Sequence, residues 1–266
     1  MSDLLVHPRP EPDAEGRLVA VEPEAHGLRY VGLEVVHLAA GEVHEGATGA
    51  REACLVPLSG ACAVSGAGGE WPEVGGRANV WAGPPHGLYL PPGAGYRVEA
   101  TSALELAIAF APARRGVEPY LVTPEEIEVE MRGSGVKERR VHPIVMDGRA
   151  AESILVVEVL TPGGHWSSYP PHKHDEDDLP RESLLEEIYY HRIDPDRGFG
   201  LQRVYTADRS LDETLAFGDG DTVLVPRGYH TVSAPPGYDL YYLNVMAGPT
   251  RAWTFADDPD HHWQAG

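Results

Sequence analysis

Lysine, cysteine and long apolar runs are all scarce in this sequence, and each shortage excludes something. Only two of its 21 basic residues are lysines, Lys137 and Lys173, and 41 acidic residues bring the formal net charge to -20. A chain so acidic lacks the basic surface that a phosphate backbone requires, so no nucleic-acid partner is expected. Cys54 and Cys62 are too few for a disulfide framework and read as small core residues in a reducing compartment. No stretch approaches the ~20 consecutive apolar residues that cross a bilayer, so no membrane partner is expected either. Met1-Ser2-Asp3-Leu4-Leu5-Val6-His7-Pro8 has neither the basic start nor the apolar centre of a signal peptide. These absences together point to a cytoplasmic protein.

Room for long helices is also lacking, because 24 prolines and 30 glycines are spread along the 266 residues. Short apolar runs recur instead, among them Val31 to Leu38, Ala53 to Leu58, Leu104 to Phe110, Ser153 to Leu160, Thr222 to Val225 and Leu240 to Val245. Turn-forming Gly, Pro, Asp and Asn separate most of them. Many short strands with regular turn signals predict an all-β fold, a sandwich or barrel. One short helical turn is expected at Pro124-Glu125-Glu126-Ile127 and another within 257–263.

The chain reads as two related halves. Val56-Pro57-Leu58-Ser59-Gly60, Gly83 and Leu90-Pro91-Pro92-Gly93-Ala94-Gly95-Tyr96 parallel Glu187-Ile188-Tyr189-Tyr190-His191, Gly220 and Val225-Pro226-Arg227-Gly228-Tyr229-His230. Each set is an apolar strand, a glycine turn, then a proline–glycine turn. The expected division is residues 1–130 as a metal-free barrel and residues 131–266 as a barrel carrying the site. Only the second half has histidines at the positions that matter.

Those positions begin with His172 and His174. Strand side chains alternate, so two histidines one residue apart share a face if the chain is extended. Glu187 on a following strand and His230 after another apolar run would complete a set of three imidazoles and one carboxylate. Neutral imidazoles plus a carboxylate suit a divalent metal, zinc above all, and also accept manganese, iron or nickel. Glu186 competes with Glu187, but Glu187 shares its strand face with Tyr189 and His191.

The wider pattern resembles a known family. Gly164, His172-x-His174, Glu187, Gly220, Pro226-x-Gly228-x-His230 and Asn244 are similar to the two cupin motifs, with a longer segment before Glu187 and one residue fewer before His230. Trp166-Ser167-Ser168-Tyr169-Pro170-Pro171-His172-Lys173-His174-Asp175, Leu185 to Arg192, Gly198 to Thr206, Gly228-Tyr229-His230 and Tyr241 to Pro249 resemble the 5-deoxy-glucuronate isomerases of myo-inositol catabolism. The resemblance implies a bicupin, two tandem β-barrels, that converts 5-deoxy-D-glucuronate to 5-dehydro-2-deoxy-D-gluconate. A related keto-uronate isomerase, a cupin dioxygenase and a non-catalytic sugar-binding bicupin are the alternatives.

Such an aldose–ketose exchange needs a polarised carbonyl, a proton moved between adjacent carbons and a stabilised enediolate. Metal as Lewis acid serves the first and third; His191, Tyr189 and a metal-bound hydroxide remain open for the second. The substrate's carboxylate calls for a cation, with Arg203 first and Arg192 and Lys173 as alternatives. Gln202, Tyr229, Tyr242 and Asn244 are further candidates for contacts to the sugar. The acidic segment 175–183 lies between ligand-bearing strands, and a homodimer covering sheet edges is the expected assembly.

Overall fold

The computed structural model describes residues 3–264, and among these there is no α-helix, only strands and four short 3-10 turns. The all-β bicupin expected from the sequence is what the chain forms. The apolar runs all lie in strands, and the expected helical turns are 3-10 turns at Pro124–Glu126 and His262–Gln264. Glu126 closes the first by accepting a hydrogen bond from the Thr123 N–H at 2.8 Å.

Three large sheets explain the burial. In the second half a seven-stranded sheet runs Leu5–Val6, Thr222–Val225, Glu186–Asp194, Asp239–Ala247, Leu155–Thr161, Arg139–Val145, Glu130–Arg132. A five-stranded sheet runs Asp212–Phe217, Gly200–Tyr205, Tyr229–Ser233, Trp166–Lys173, Ala256–Asp257. Val157, Tyr189, Val223 and Tyr242 from the first meet Val204, Phe217 and Val232 from the second, which forms the barrel interior. A nine-stranded sheet builds the first half around Leu55, Leu88, Val98, Leu106 and Ile108.

The two barrels join back to back. Period-two alternation decides what each residue faces. In Glu186–Asp194, Ile188 and Tyr190 pack against Val35, Val56 and Ala109 of the first half, while Tyr189 and Ile193 face the interior of their own barrel. Almost every side chain in this strand is buried on one face or the other, because both faces of the strand are covered.

Carboxylates clamp the junction in a reciprocal way. Glu52 accepts hydrogen bonds from the N–H groups of Glu152, Ser153 and Ile154, at 2.9, 2.6 and 2.7 Å, just before strand Leu155–Thr161. Glu186 accepts them from Arg29 and Tyr30, at 2.7 and 2.8 Å, just before strand Gly32–Leu38. Glu158 sits wholly buried between the guanidinium of Arg77, His142 and the Tyr241 hydroxyl. Every lone pair of that buried charge has a partner, the condition under which such a group is tolerated. The N-terminal pair Leu5–Val6 joins the second-half sheet, so the chain's first strand completes the barrel that the rest of its half does not belong to.

Candidate metal centre

Strand pairing brings the four candidate ligands together. His172 and His230 are direct cross-strand partners. Glu187 projects from the opposite sheet, and His174 follows the end of Trp166–Lys173. A ligand nitrogen from each of His172, His174 and His230 lies within 4.8 Å of the others. Glu187 Oε2 lies 2.9 Å from His230 Nε2 and 3.2 Å from His174 Nε2.

The orientation of the rings tests whether a metal fits. His174 Nδ1 is 3.0 Å from the Leu185 carbonyl, His230 Nδ1 is 3.2 Å from the Gly228 carbonyl, and His172 Nδ1 is 3.4 Å from the Pro170 carbonyl. Each Nδ1–H donating to a carbonyl leaves Nε2 as the bare lone pair, and the three Nε2 atoms converge. Backbone carbonyls holding the outer nitrogen of a ligating histidine are the usual support of a metal site. His230 Nε2 is buried and makes no hydrogen bond of its own, because a bare lone pair has no proton to give the nearby Glu187 oxygen. An orphaned lone pair there is costly in a plain core and natural in a metal site. The residues therefore fit a divalent cation.

Charge follows the same geometry. Burial opposes the Glu187 carboxylate, but His230 and His174 outweigh it and hold the carboxyl well below its usual range. Burial, with His230 and His174 beside it, pushes His172 well below an ordinary imidazole. Burial lowers His174 too, but Glu187 outweighs it and raises that imidazole, so Glu187 and His172 are the groups already held in the forms that bind metal, an ionised carboxylate and a neutral imidazole. Asn244 donates its amide to Glu187 Oε1 and so fixes the carboxylate's angle.

The cavity above the ligands is lined by His172, Glu187, Tyr189, Tyr242, Asn244 and Ser168, with Val141, Val157 and Val159 as its apolar wall. Arg132, Arg139 and Trp253 complete it. Its free volume, about 50 Å³, holds a water or two. Arg132 and Trp253 also line an open groove outside, which makes their stacked pair, 4.9 Å apart, the partition between cavity and solvent. Ser168 adopts a left-handed φ of 51°, and its hydroxyl meets the Tyr189 hydroxyl at 3.1 Å. The Ser167 hydroxyl bonds to that of Tyr242.

Several expected residues lie elsewhere. Arg203 forks onto Asp212 at 2.9 Å and covers the Tyr205 ring on the outer surface, so alternation has turned it out of the barrel. Arg192 is drawn to the junction by Glu105 and Asp219. Lys173 is enclosed by Asp175, Glu176 and Glu182, and the segment around it is a small hairpin, Asp175–Asp178 with Glu182–Leu184. Tyr229 neighbours His230 and therefore points the other way, against Tyr205. His191 and Gln202 do face the barrel interior, but below the cavity: His191 Nε2 is 3.0 Å from Gln202 Oε1 and its ring stacks on Phe217 at 3.7 Å. Burial lowers the His191 pKa to about 3, so it is a neutral core group. Glu186 belongs to the junction, as described above.

Sequence reasoning missed Arg132, Arg139, Ser168 and Trp253. The available signal for Arg139 was its place two residues before Val141, which puts both on one strand face.

In the first barrel, Gly46 pairs across strands with Tyr96. The Tyr96 ring fills the space there, so close that a Cβ on Gly46 would lie 2.4 Å from it. Among the described residues, no second histidine cluster accompanies it.

Residues 4–264 match the model of the KduI/IolB family. The chain belongs to that family. It is 52% identical over 264 residues to a 5-deoxy-glucuronate isomerase of Geobacillus kaustophilus, covering 99% of this chain and 95% of the relative. A protein of the same name from Shouchella clausii is 43% identical over 267 residues, covering 99% and 98%. The solved structure of an IolB-like protein from Salmonella typhimurium superposes with a TM-score of 0.96 at 43% identity, each chain covered in full. A Bacillus subtilis oxalate decarboxylase shares the fold at a TM-score of 0.68 and 13% identity, over all of this chain and 84% of that one.

Proposed function

We infer that this KduI/IolB family member is a 5-deoxy-glucuronate isomerase, converting 5-deoxy-D-glucuronate to 5-dehydro-2-deoxy-D-gluconate in myo-inositol catabolism. The observation that carries this is end-to-end similarity to isomerases of that name, joined to a convergent histidine–glutamate site. Zinc is the metal that this donor set suits best, and manganese, iron and nickel are compatible. Residues 131–266, with Leu5–Val6 and Glu130 added to their sheet, are the active barrel, and the rest of residues 1–130 a metal-free barrel, in keeping with the Tyr96 ring filling the space beside Gly46. The enzyme is cytoplasmic, and a homodimer would cover free sheet edges such as Asp212–Phe217.

His172, His174, Glu187 and His230 would hold the cation, which supplies Lewis-acid polarisation of the substrate's carbonyl and adjacent hydroxyl. Asn244 keeps Glu187 oriented. Tyr189 carries an O–H that is neutral at physiological pH, and its hydrogen bond with Ser168 leaves one of the two hydroxyl protons free to donate to a substrate oxygen. Val141, Val157 and Val159 keep that side of the cavity dry, which strengthens each of these interactions. His191 takes no direct part, being below the cavity and bound to Gln202.

The test is to purify the protein, determine its metal, and follow 5-deoxy-D-glucuronate with and without chelator. Metal-dependent ketose formation without oxygen uptake is the expected result, and His230→Ala should lose metal and turnover while the β-sheet circular dichroism persists. Metal-loaded protein that leaves the substrate unchanged would refute the assignment.

A further inference from the structure

An acidic sugar needs a cation at the end remote from the metal, and the three expected from the sequence are committed to carboxylates elsewhere. Two guanidinium groups reach the cavity. Arg132 is paired with Glu130 at 2.6 Å and rests on Trp253. Arg139 is different. It is largely buried, it donates Nη1 to the Lys137 carbonyl at 3.0 Å, and no carboxylate lies within ion-pair distance of it among the described residues.

A buried cation without an anion is costly, and an arginine cannot escape the cost by losing its proton. Burial depresses the guanidinium, and Arg132 adds to the effect by repulsion. Tyr189 and Tyr242, which share the cavity with it, offer only neutral hydroxyls. An anion entering the cavity would find a guanidinium with no carboxylate partner and donors to spare beyond the one on the Lys137 carbonyl, a second arginine nearby, and a low-dielectric wall formed by Val141, Val157 and Val159.

We propose that Arg139, assisted by Arg132, receives the substrate's carboxylate and sets the preference of the site for acidic over neutral sugars. This rests on the isomerase reading for the identity of the acid. The sugar then spans the cavity, its aldehyde end toward His172, His174, Glu187 and His230 and its carboxylate on the guanidinium fork. Burial of the ion pair relieves the repulsion between the two arginines, so binding favours acids by a margin that a neutral sugar of equal length cannot match.

Kinetics on 5-deoxy-D-glucuronate and on its uncharged counterpart, 5-deoxy-D-glucose, test the assignment. Arg139→Gln should raise KM for the acid by roughly 100-fold, in line with truncation of one member of a buried charged pair. Bound metal should match the wild type, kcat should change far less than KM, and the acid-to-neutral ratio of kcat/KM should fall by the same factor as the KM effect. Arg139→Lys should recover part of the loss, since it restores charge without the fork; it also serves if Arg139→Gln does not fold. An unchanged KM, or a raised KM with an unchanged acid-to-neutral ratio, would overturn the proposal. If the wild type fails to isomerise the acid, the isomerase reading falls by itself. Calorimetric binding of D-glucuronate to wild type and Arg139→Gln then decides the proposal alone: weaker binding in the variant supports it, and equal affinity or no binding to either refutes it.

Discussion

Asn244→Leu isolates what holding a ligand in place is worth. Asn244 lies on the strand beside Glu187, one diagonal step across the ladder, since its direct partner is Tyr189 and that of Glu187 is Met246. Its amide donates to Glu187 Oε1, which leaves Oε2 directed at His230 and His174. Leucine has similar bulk and keeps the buried site filled, so the loss is one hydrogen bond to an ionised carboxylate. Such a bond contributes about 1.5–3 kcal/mol, and all of it acts on the metal because the freed carboxylate can swing away from the histidines. The dissociation constant for zinc should rise by about 10- to 100-fold, the range typical for loss of a group that orients a ligand. Competition against a chromophoric chelator at neutral pH measures it, with circular dichroism and thermal unfolding of the metal-free protein as controls. An unchanged dissociation constant in a folded variant would show that Glu187 needs no orienting partner, or that it does not bind the metal.

Acid stability should depend on the junction between the barrels. Burial raises the Glu105 carboxyl, but His37 at 3.9 Å, the Arg192 charge and hydrogen bonds from Tyr190 and Arg192 bring it down to about 2 from the ordinary 4.5. A depressed carboxyl adds stability above its unfolded pKa and loses it as pH falls through the folded one. At ~1.4 kcal/mol per unit, about 3 kcal/mol should disappear between those two values. Glu105→Gln should therefore lower stability at neutral pH and flatten the acid limb of a Tm–pH profile; an identical limb in the variant would refute the reasoning. Gly228→Ala should also destabilise, by about 2–4 kcal/mol, because φ is +89° and the new Cβ would stand 2.6 Å from the Tyr205 carbonyl oxygen. Its Tm should fall by several degrees, and since the Gly228 carbonyl holds His230 Nδ1, metal affinity should fall with it. A variant with wild-type Tm and affinity would mean that the turn relaxes freely.

Much of the fold was legible because short-range rules govern it. Apolar runs such as Leu104 to Phe110 are strands wherever turns bound them, and proline and glycine prevent the longer helical patterns. The four candidate ligands were also legible, since His172-x-His174 is a spacing with direct geometric meaning. The cations were not. Arg203 and Arg139 are each one basic residue on a strand, and sequence alone does not say which one has an aspartate beside it. Asp212 neutralises the first on the surface, while the second is enclosed with no carboxylate partner. His191 illustrates the same limit: alternation put it on the correct face, but depth along the barrel is set by the packing of Phe217 and Gln202.

The sequence by itself determined the fold class, the two-part plan and the set of histidines and glutamate, because strand alternation and turn chemistry are properties of neighbouring residues. Tertiary structure alone decided which charged groups share the cavity, how the carbonyls of Pro170, Leu185 and Gly228 turn three imidazoles toward one point, and how Glu52 and Glu186 clasp one barrel to the other. Those facts depend on contacts between strands far apart in the chain. The burial that leaves Arg139 without a carboxylate arises only when the sheets close around it.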